Sequence, residues 1–493
     1  MINLEKLRNK LVVFLENARW WPSSNREFEI VDVFRGCKGI LLVLESNNQL
    51  YQLPLSPVEN VPEDILKEKR FLEYDGKKWI ESEYTIYYMD LMDSLEVIEK
   101  ETYREIRGRV VEASPIALGT TNVVAKHKLD SGLEIVVKSY RLLPINNSEP
   151  LIITKLHSSS FKYIPKLYYS YILRLDKKIH SSFIMDYIRG VGDGGKPFSD
   201  SFKGYLEKAK GKNKSLLKSS YRLRLARKLG LIIADMHVKL NPGLSSGFFG
   251  LEEISNSDVS LWIKRIENRY KWIINRLDQL ILDSSGREKN RYEFWRSVIT
   301  GKKFRKILDK VKHDLDKYYM GAYKGRIHQD LHLQQMIYVP ENEVFIITDF
   351  EGEPGRSDKE RIVKEPLVRD LATMVTSFHY LTFTAYHEAH KHRDPHTTAA
   401  RLLKYKIPVT WVWAMRHSVE MILSYSICTS RDRIGRDLFG FKKYNLMKHY
   451  HLLLPPWIVE RALYEISYEL SYRPHWFVIP VLGIIHSPIP YMI

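Results

Sequence analysis

Up to about residue 190 the apolar side chains fall into short β-branched runs, and beyond residue 200 they recur at helical spacing. No other feature constrains the fold as strongly as this change of period. Residues 29–34 and 39–44 are strand candidates, and the pairs Asn47-Asn48 and Asp75-Gly76 stand between such runs as hairpin-turn signals. A second β-rich stretch places 123–128 and 133–140 on either side of Asp130-Ser131-Gly132, and 182–188 is a further strand candidate. In the second half, Trp262, Ile266, Tyr270, Ile273 and Ile274 share a helical face, as do Phe304, Ile307, Leu308, Val311 and Leu315. One β-rich island, 326–350, interrupts the helices. Residues 203–218 are lysine-rich with few large apolar groups and read as a solvated, flexible surface segment. The pattern predicts an α+β chain with a β-rich N-terminal cap domain at 1–105, a β-rich small lobe at 106–190 and a mostly helical large lobe at 191–493.

Composition narrows the function classes. The 493 residues are 44% hydrophobic and 27% charged, as in folded globular proteins of two or three domains. The net charge of +17 is spread along the whole chain, without a zinc finger, an RNA-binding aromatic pattern or a long basic arm. The expectation is therefore no nucleic-acid partner. Two cysteines, Cys37 and Cys428, support neither a disulfide scaffold nor a cysteine zinc site and suit a reducing compartment. The N-terminal stretch mixes charges into its apolar residues, unlike a signal peptide. The most apolar stretch, 408–428, is broken by Arg416, His417 and Glu420. A soluble, cytoplasmic protein without a membrane partner is expected.

The island at 326–350 carries the chemistry. It reads His328-Gln329-Asp330-Leu331-His332-Leu333-Gln334-Gln335 and then Thr348-Asp349-Phe350-Glu351-Gly352. Phosphoryl transfer needs one carboxylate to accept the proton of the attacking hydroxyl, and an amide and a second carboxylate to hold Mg²⁺ on the phosphates. Asp330 stands at the base position of the protein-kinase pattern, and Gln335 stands five residues later, where that pattern has asparagine. Asp349 opens the second motif, and both side chains offer the oxygen ligands that Mg²⁺ prefers. Each residue alone reads better as an ordinary loop residue; the ordered set points to a protein-kinase-like bilobal fold that uses ATP and Mg²⁺. Lys138, ending the apolar run 135–137, fits the small-lobe lysine that meets the nucleotide's phosphates. Thr120, Thr121 and Asn122 follow Gly119 in a turn that could cover the phosphates or be a plain hairpin. Gly190 to Lys196 nearly matches a Walker loop, but Pro197 replaces the required hydroxyl. A glycine-rich hinge is the better reading, with Asp186 and Tyr187 beside the adenine. His387 and His390, with Glu388 between them, are three apart where the metalloprotease motif needs four, so this stretch with His392 and His396 reads as a solvated helix end.

The stretch from Asp349 to Pro354, followed by Pro366-Leu367-Val368-Arg369-Asp370-Leu371-Ala372, resembles the maltokinases, a group of aminoglycoside-phosphotransferase-like kinases. Residues 462–469, Arg473-Pro474-His475-Trp476 and 479–484 extend the resemblance to the C-terminus, and Arg19-Trp20-Trp21 and 51–55 extend it to the N-terminus. The resemblance implies transfer from ATP to maltose, giving maltose 1-phosphate in trehalose and glycogen metabolism, and a possible association with trehalose synthase. It implies Asp330 as base, Gln335 and Asp349 on Mg²⁺, Lys138 on phosphate and Asp370 bracing the catalytic loop. The chain differs from the pattern at Gln329, where glycine is usual, at Gln334, and at Leu151, where the glutamate partner of Lys138 is expected; Glu149 lies two residues earlier.

A sugar site needs planar polar groups and an aromatic platform. Glu465, Tyr468 and Glu469 share a helical face, with Arg473 and Trp476 following. That helix reads equally as structural, with a Glu469–Arg473 ion pair. His332, Glu351, Arg356 and Arg369 are further acceptor candidates around the two motifs. A glucosamine kinase group shares much of this pattern, so an amino sugar or aminoglycoside acceptor stands as one alternative. A pseudokinase that binds nucleotide or a partner enzyme without turnover stands as another.

Overall fold

A computed structural model describes residues 3–22, 27–118, 120–143, 147–210, 223–391, 394–405, 408–431 and 446–486. The fold is α+β, β-rich towards the N-terminus and helical towards the C-terminus. It divides into two compact units, one of 1–150 with 165–188 and one of 151–164 with 189–493.

The first unit holds two antiparallel sheets. Strands β1 (Glu29–Gly36), β2 (Gly39–Ser46), β3 (Gln49–Val58), β4 (Leu72–Tyr74) and β5 (Lys77–Glu81) run in the order β1-β2-β3-β5-β4. Strands β6 (Ile98–Thr102), β7 (Val110–Ala117), β8 (Val123–Leu129), β9 (Glu134–Ser139), β10 (Leu167–Arg174) and β11 (Lys178–Asp186) run in the order β6-β10-β11-β9-β8-β7. Both expected hairpins form. Asn47 and Asn48 have φ of 53° and 58°, and Asp75 and Gly76 have 53° and 68°. Two successive positive φ values define the turn whose twist matches paired strands, and Asn, Asp and Gly tolerate it best.

Helix Leu4–Glu16 is capped by the Asn3 side chain, which accepts from the Lys6 amide, and it buries Leu7, Leu11, Phe14 and Leu15. Trp20 and Trp21 continue that core against Tyr51. Leu41 and Val43 of β2 share another core with Ala125 of β8, Ile135 and Val137 of β9 and Tyr171 of β10. A buried quartet also joins the sheets. Arg141 binds Glu83 at 2.7 Å and Glu81 at 3.1 Å, and Arg70 binds Glu81 at 2.5 Å and donates to the Leu118 carbonyl at 2.6 Å. Two guanidiniums face two carboxylates, so the buried charge is balanced, as burial demands.

In the second unit, helix Val368–Ala389 is central and packs on helices Lys196–Lys210, Val409–Arg431, Pro455–Tyr472 and Val478–His486. Lys196–Lys210 corrects the reading of 203–218. Phe198, Phe202 and Leu206 recur every four residues and are buried, so 203–210 belong to an amphipathic helix rather than a flexible surface. Residues 211–218 lie outside the described residues. Helix Leu223–Leu240 approaches Val409–Arg431 closely at Gly230, where a Cβ would sit 2.1 Å from the Met421 carbonyl oxygen. Strands β12 (Glu252–Glu253) and β13 (Tyr323–Lys324) form a short ladder, and β14 (Met336–Val339) pairs with β15 (Val344–Ile347). Among the described residues no helix is long and apolar enough to cross a membrane.

Four histidines of this unit are buried and held neutral. Burial pushes His379 down to about 3, and His396, His417 and His486 down to about 4. In the unfolded chain they titrate near about 6.5, so between the two values the unfolded state binds more protons. Their contribution is complete above the unfolded value and is lost as pH falls towards the folded one. Urea unfolding at pH 7, 6, 5 and 4 should therefore give a midpoint that drops at each step, with the slope m unchanged.

Candidate active site

Asp330 lies on the loop between β13 and β14, and Asp370 shapes that loop. The Asp370 carboxylate accepts from the amides of His328 at 2.9 Å and Gln329 at 3.1 Å, and it meets His237 Nε2 at 3.1 Å. Gln329 adopts φ of 71°, a conformation natural to glycine and strained for other residues by roughly 1–2 kcal/mol. Three bonds hold it there: its amide to Asp370, its Nε2 to the Val363 carbonyl, and its own carbonyl accepting from Arg369 Nη1. A side chain thus stands where glycine is usual because neighbouring groups compensate the strain.

The loop is tied to the end of β15. His328 Nε2 meets the Thr348 carbonyl at 3.0 Å, the His328 ring packs on Phe350, and the Thr348 amide donates to the Gln335 carbonyl at 2.9 Å. These contacts bring the segments carrying Asp330, Gln335 and Asp349 together. Asp349 has φ of 63°, and one of its carboxylate oxygens lies within 4.8 Å of one of Glu351. Two carboxylate oxygens this close are the kind of hard-oxygen donors that Mg²⁺ takes. The glycine-rich segment after residue 189 belongs to the same construction. The Gly194 amide donates to the carbonyls of Leu333 and Met336, and Lys196 pairs with Asp200 at 2.8 Å on its own helix.

Asp330 is buried and bound by a residue that sequence reasoning does not single out. Arg461 Nη1 lies 2.7 Å from Asp330 Oδ1, and His332 Nε2 lies 3.6 Å from Asp330 Oδ2. Burial pushes the Asp330 carboxyl up, but Arg461 and His332 outweigh it and hold it at about 2. Arg461 also binds Glu353 at 2.7 Å and Glu465 at 2.6 Å. Behind it, Glu353 meets Arg369 and Arg356, Glu365 meets Arg265, Arg356 and Arg369, and Glu460 meets Arg265, Arg269 and Arg356. Five guanidiniums (265, 269, 356, 369 and 461) thus face five carboxylates (330, 353, 365, 460 and 465), and the cluster is neutral. Arg356 and Arg369 have side-chain exposures of 0%. Both are enclosed by the carboxylates of Glu353, Glu365 and Glu460.

The C-terminal candidates separate. Glu465 joins the Asp330 cluster through Arg461. Glu469 is buried, accepts from Tyr380 and pairs with Arg473 at 2.6 Å, the ion pair of the structural reading. Tyr468 is partly exposed, between Tyr464 and Tyr472 in a row of rings on one helix face. Trp476 meets the His387 ring edge-on. Of the decoy histidines, His387 meets Thr398 Oγ1 and His390 meets the Tyr386 carbonyl, while His392 lies outside the described residues.

In the first unit, β9 carries Lys138, whose Nζ binds Glu149 Oε2 at 2.7 Å; the Tyr140 hydroxyl donates to the same oxygen. Glu149 opens helix Glu149–Ser158 and reaches Lys138 although it lies two residues before the position the pattern favours. Thr120 Oγ1 donates to the Asn122 carbonyl, closing the turn that holds Thr121; Gly119 lies outside the described residues. Asp186 accepts from the Tyr168 hydroxyl and pairs with Lys166, and Tyr187 lies under the Lys126 ammonium.

No family model matches the sequence. The fold is similar to that of a glucosamine kinase solved with glucosamine, ADP and inorganic phosphate. The TM-score is 0.62 at 17% identity, covering 96% of this chain and 98% of that one. A second crystal form of glucosamine kinase gives 0.61 at 18% identity, covering 93% of each chain. At this identity the likeness is one of fold.

The Asp370 contacts generate a prediction. Asp370→Asn turns one acceptor into a donor that faces backbone N–H groups. Hydrogen exchange at the His328 and Gln329 amides should accelerate, and stability should fall by about 3 kcal/mol. Native-state exchange read by NMR or mass spectrometry measures both.

Proposed function

We propose that this chain is a sugar kinase that transfers the γ-phosphoryl group of ATP to maltose, giving maltose 1-phosphate. One observation carries the reading. A buried carboxylate, Asp330, sits on a loop braced by Asp370 and tied through His328 and Thr348 to the strand end that carries Asp349. The fold likeness to a kinase solved with a sugar and ADP supports it, and the maltokinase-like residues at 349–354 and 366–372 refine it.

In this reading Asp330 accepts the proton of the acceptor hydroxyl. The hydroxyl oxygen bonds to the γ-phosphorus as the bond to the β–γ bridging oxygen breaks, and ADP leaves with that electron pair. Gln335 and Asp349 would hold Mg²⁺, with Glu351 adjacent; when bound, the ion neutralises charge on the phosphates. Lys138, fixed by Glu149, is assigned to phosphate contact. Glu465 and Tyr468 are assigned to the sugar, and Glu351 and His332 border the acceptor.

Neutrality of the Asp330 cluster favours an uncharged acceptor. Each of its carboxylates is matched by a guanidinium, so the cluster offers an ammonium no unpaired charge. Glucosamine is the second reading, favoured by the fold likeness over nearly the full length.

ADP release measured with maltose, glucose, glucosamine and kanamycin separates these readings. Maltose should give the highest kcat/KM, and Asp330→Asn should lower kcat by about 10²–10⁴-fold while ATP still binds. Turnover confined to the amines would select the second reading, and ATP binding without turnover on any acceptor would select a pseudokinase. Asp349→Ala should remove the Mg²⁺-dependent part of ATP affinity in calorimetry. Affinity unchanged by the substitution would count against the metal assignment.

A further inference from the structure

Arg461 is placed to do more than balance charge. It stands on helix Pro455–Tyr472, four residues before Glu465, and its guanidinium is divided among three carboxylates. Nη1 is shared by Asp330 Oδ1 and Glu353 Oε1, both at 2.7 Å, while Nε and Nη2 hold Glu465 Oε1 at 2.7 and 2.6 Å. The three acids differ in freedom. Glu353 has 0% exposure and is also bound by Arg356 and Arg369, so it is an anchor. Glu465 is the most exposed of the three, at 17% of its side chain. Asp330 lies between them, with Oδ1 bound and Oδ2 beyond hydrogen-bond distance of His332 at 3.6 Å.

We propose that Arg461 is a positioning residue for the base, holding Asp330 Oδ1 so that Oδ2 is left to take the acceptor's proton, and joining that carboxylate to Glu465 on the acceptor side. The inference rests on the sugar-kinase reading and deepens it. A carboxylate with both oxygens free can rotate about its terminal torsion, which is broad and roughly two-fold. Anchoring one oxygen through a rigid planar fork removes that freedom before the acceptor arrives, as efficient proton transfer requires. An acceptor hydroxyl bonded to Glu465 would then lie one guanidinium away from the base.

The charged and titratable groups facing Asp330 come from three places. Arg461 and Tyr464 come from the C-terminal helix, Glu353 from the segment after β15, and His328 and His332 from the loop itself. Arg461 is the strongest of the influences that keep the carboxyl ionised against burial. A residue that only packs the core would leave the pH dependence of kcat untouched.

The experiment compares wild type, Arg461→Met and Arg461→Lys. It measures kcat and KM for ATP and sugar from pH 4 to pH 9, with ATP affinity by calorimetry as the check on folding. Arg461→Met should lower kcat about 100-fold, leave ATP affinity within about threefold, and bring an acid limb of kcat up into the measured range. Arg461→Lys keeps the charge without the fork and should sit about tenfold below wild type with no such limb. If Arg461→Met fails to fold, the lysine variant decides: wild-type kcat there overturns the proposal. A methionine variant that keeps kcat within threefold, or that loses kcat with an unchanged pH profile, overturns it while the sugar-kinase reading stands. Wild-type protein inactive on every acceptor overturns the reading, and the proposal with it.

Discussion

Glu353, with Arg356 and Arg369 on one side and Arg461 on the other, is the contact around which the second unit is organised. It joins the segment after β15 to helix Val368–Ala389 and helix Pro455–Tyr472, and Glu365 and Glu460 extend the same bonding to Arg265 and Arg269 of helix Asn256–Asp283. A carboxylate taken out of water this completely is tolerated only because guanidiniums surround it, and they hold it well below its ordinary range. Loss of one member would strand an opposite charge, at a cost of about 3–5 kcal/mol. The cluster reaches the loop of the candidate base twice, through Arg369 to the Gln329 carbonyl and through Arg461 to Asp330. Electrostatic balance in the interior and the placement of the candidate base are therefore one problem with one solution.

What can be read from sequence follows the range of each interaction. The hairpins at Asn47-Asn48 and Asp75-Gly76 are legible because the constraint, two positive φ values, acts on the residues that signal it. The motif from His328 to Asp349 is legible because its parts are adjacent along the chain. β10 is not, since its first seven residues are all buried and show no alternation from which a period can be taken. Arg461 is hidden for a different reason. Its contact with Asp330 joins residues 131 apart, and an arginine before Glu465 reads as an ordinary helix pair. Arg356 and Arg369 are its counterpart: they sit beside the candidate motifs in sequence, and their place in the charge cluster rests on contacts with distant Glu460 that no local pattern signals.

Two strained residues mark the same region. Gln329 and Asp349 are both non-glycine residues with positive φ, one on the loop of the base and one at the end of β15. Such conformations persist where the surroundings over-determine them, and they concentrate at functional sites. At Gln329 the surroundings are explicit, since backbone and side chain are both hydrogen-bonded. The rigidity that glycine would forfeit is here retained, and the loop is fixed without the flexible residue that the related pattern employs.

The core common to the two N-terminal sheets bears on how such a chain can arise and be altered. Leu41 and Val43 lie against residues of β8, β9 and β10, and across the same seam Arg70 donates to the Leu118 carbonyl and Arg141 binds Glu81 and Glu83. A deletion of the first hundred residues would expose an oily face and leave the Arg141 guanidinium there without its two carboxylates. The N-terminal sheet is thus no detachable ornament: lineages that dispensed with it would need compensating surface changes on the sheet that remained.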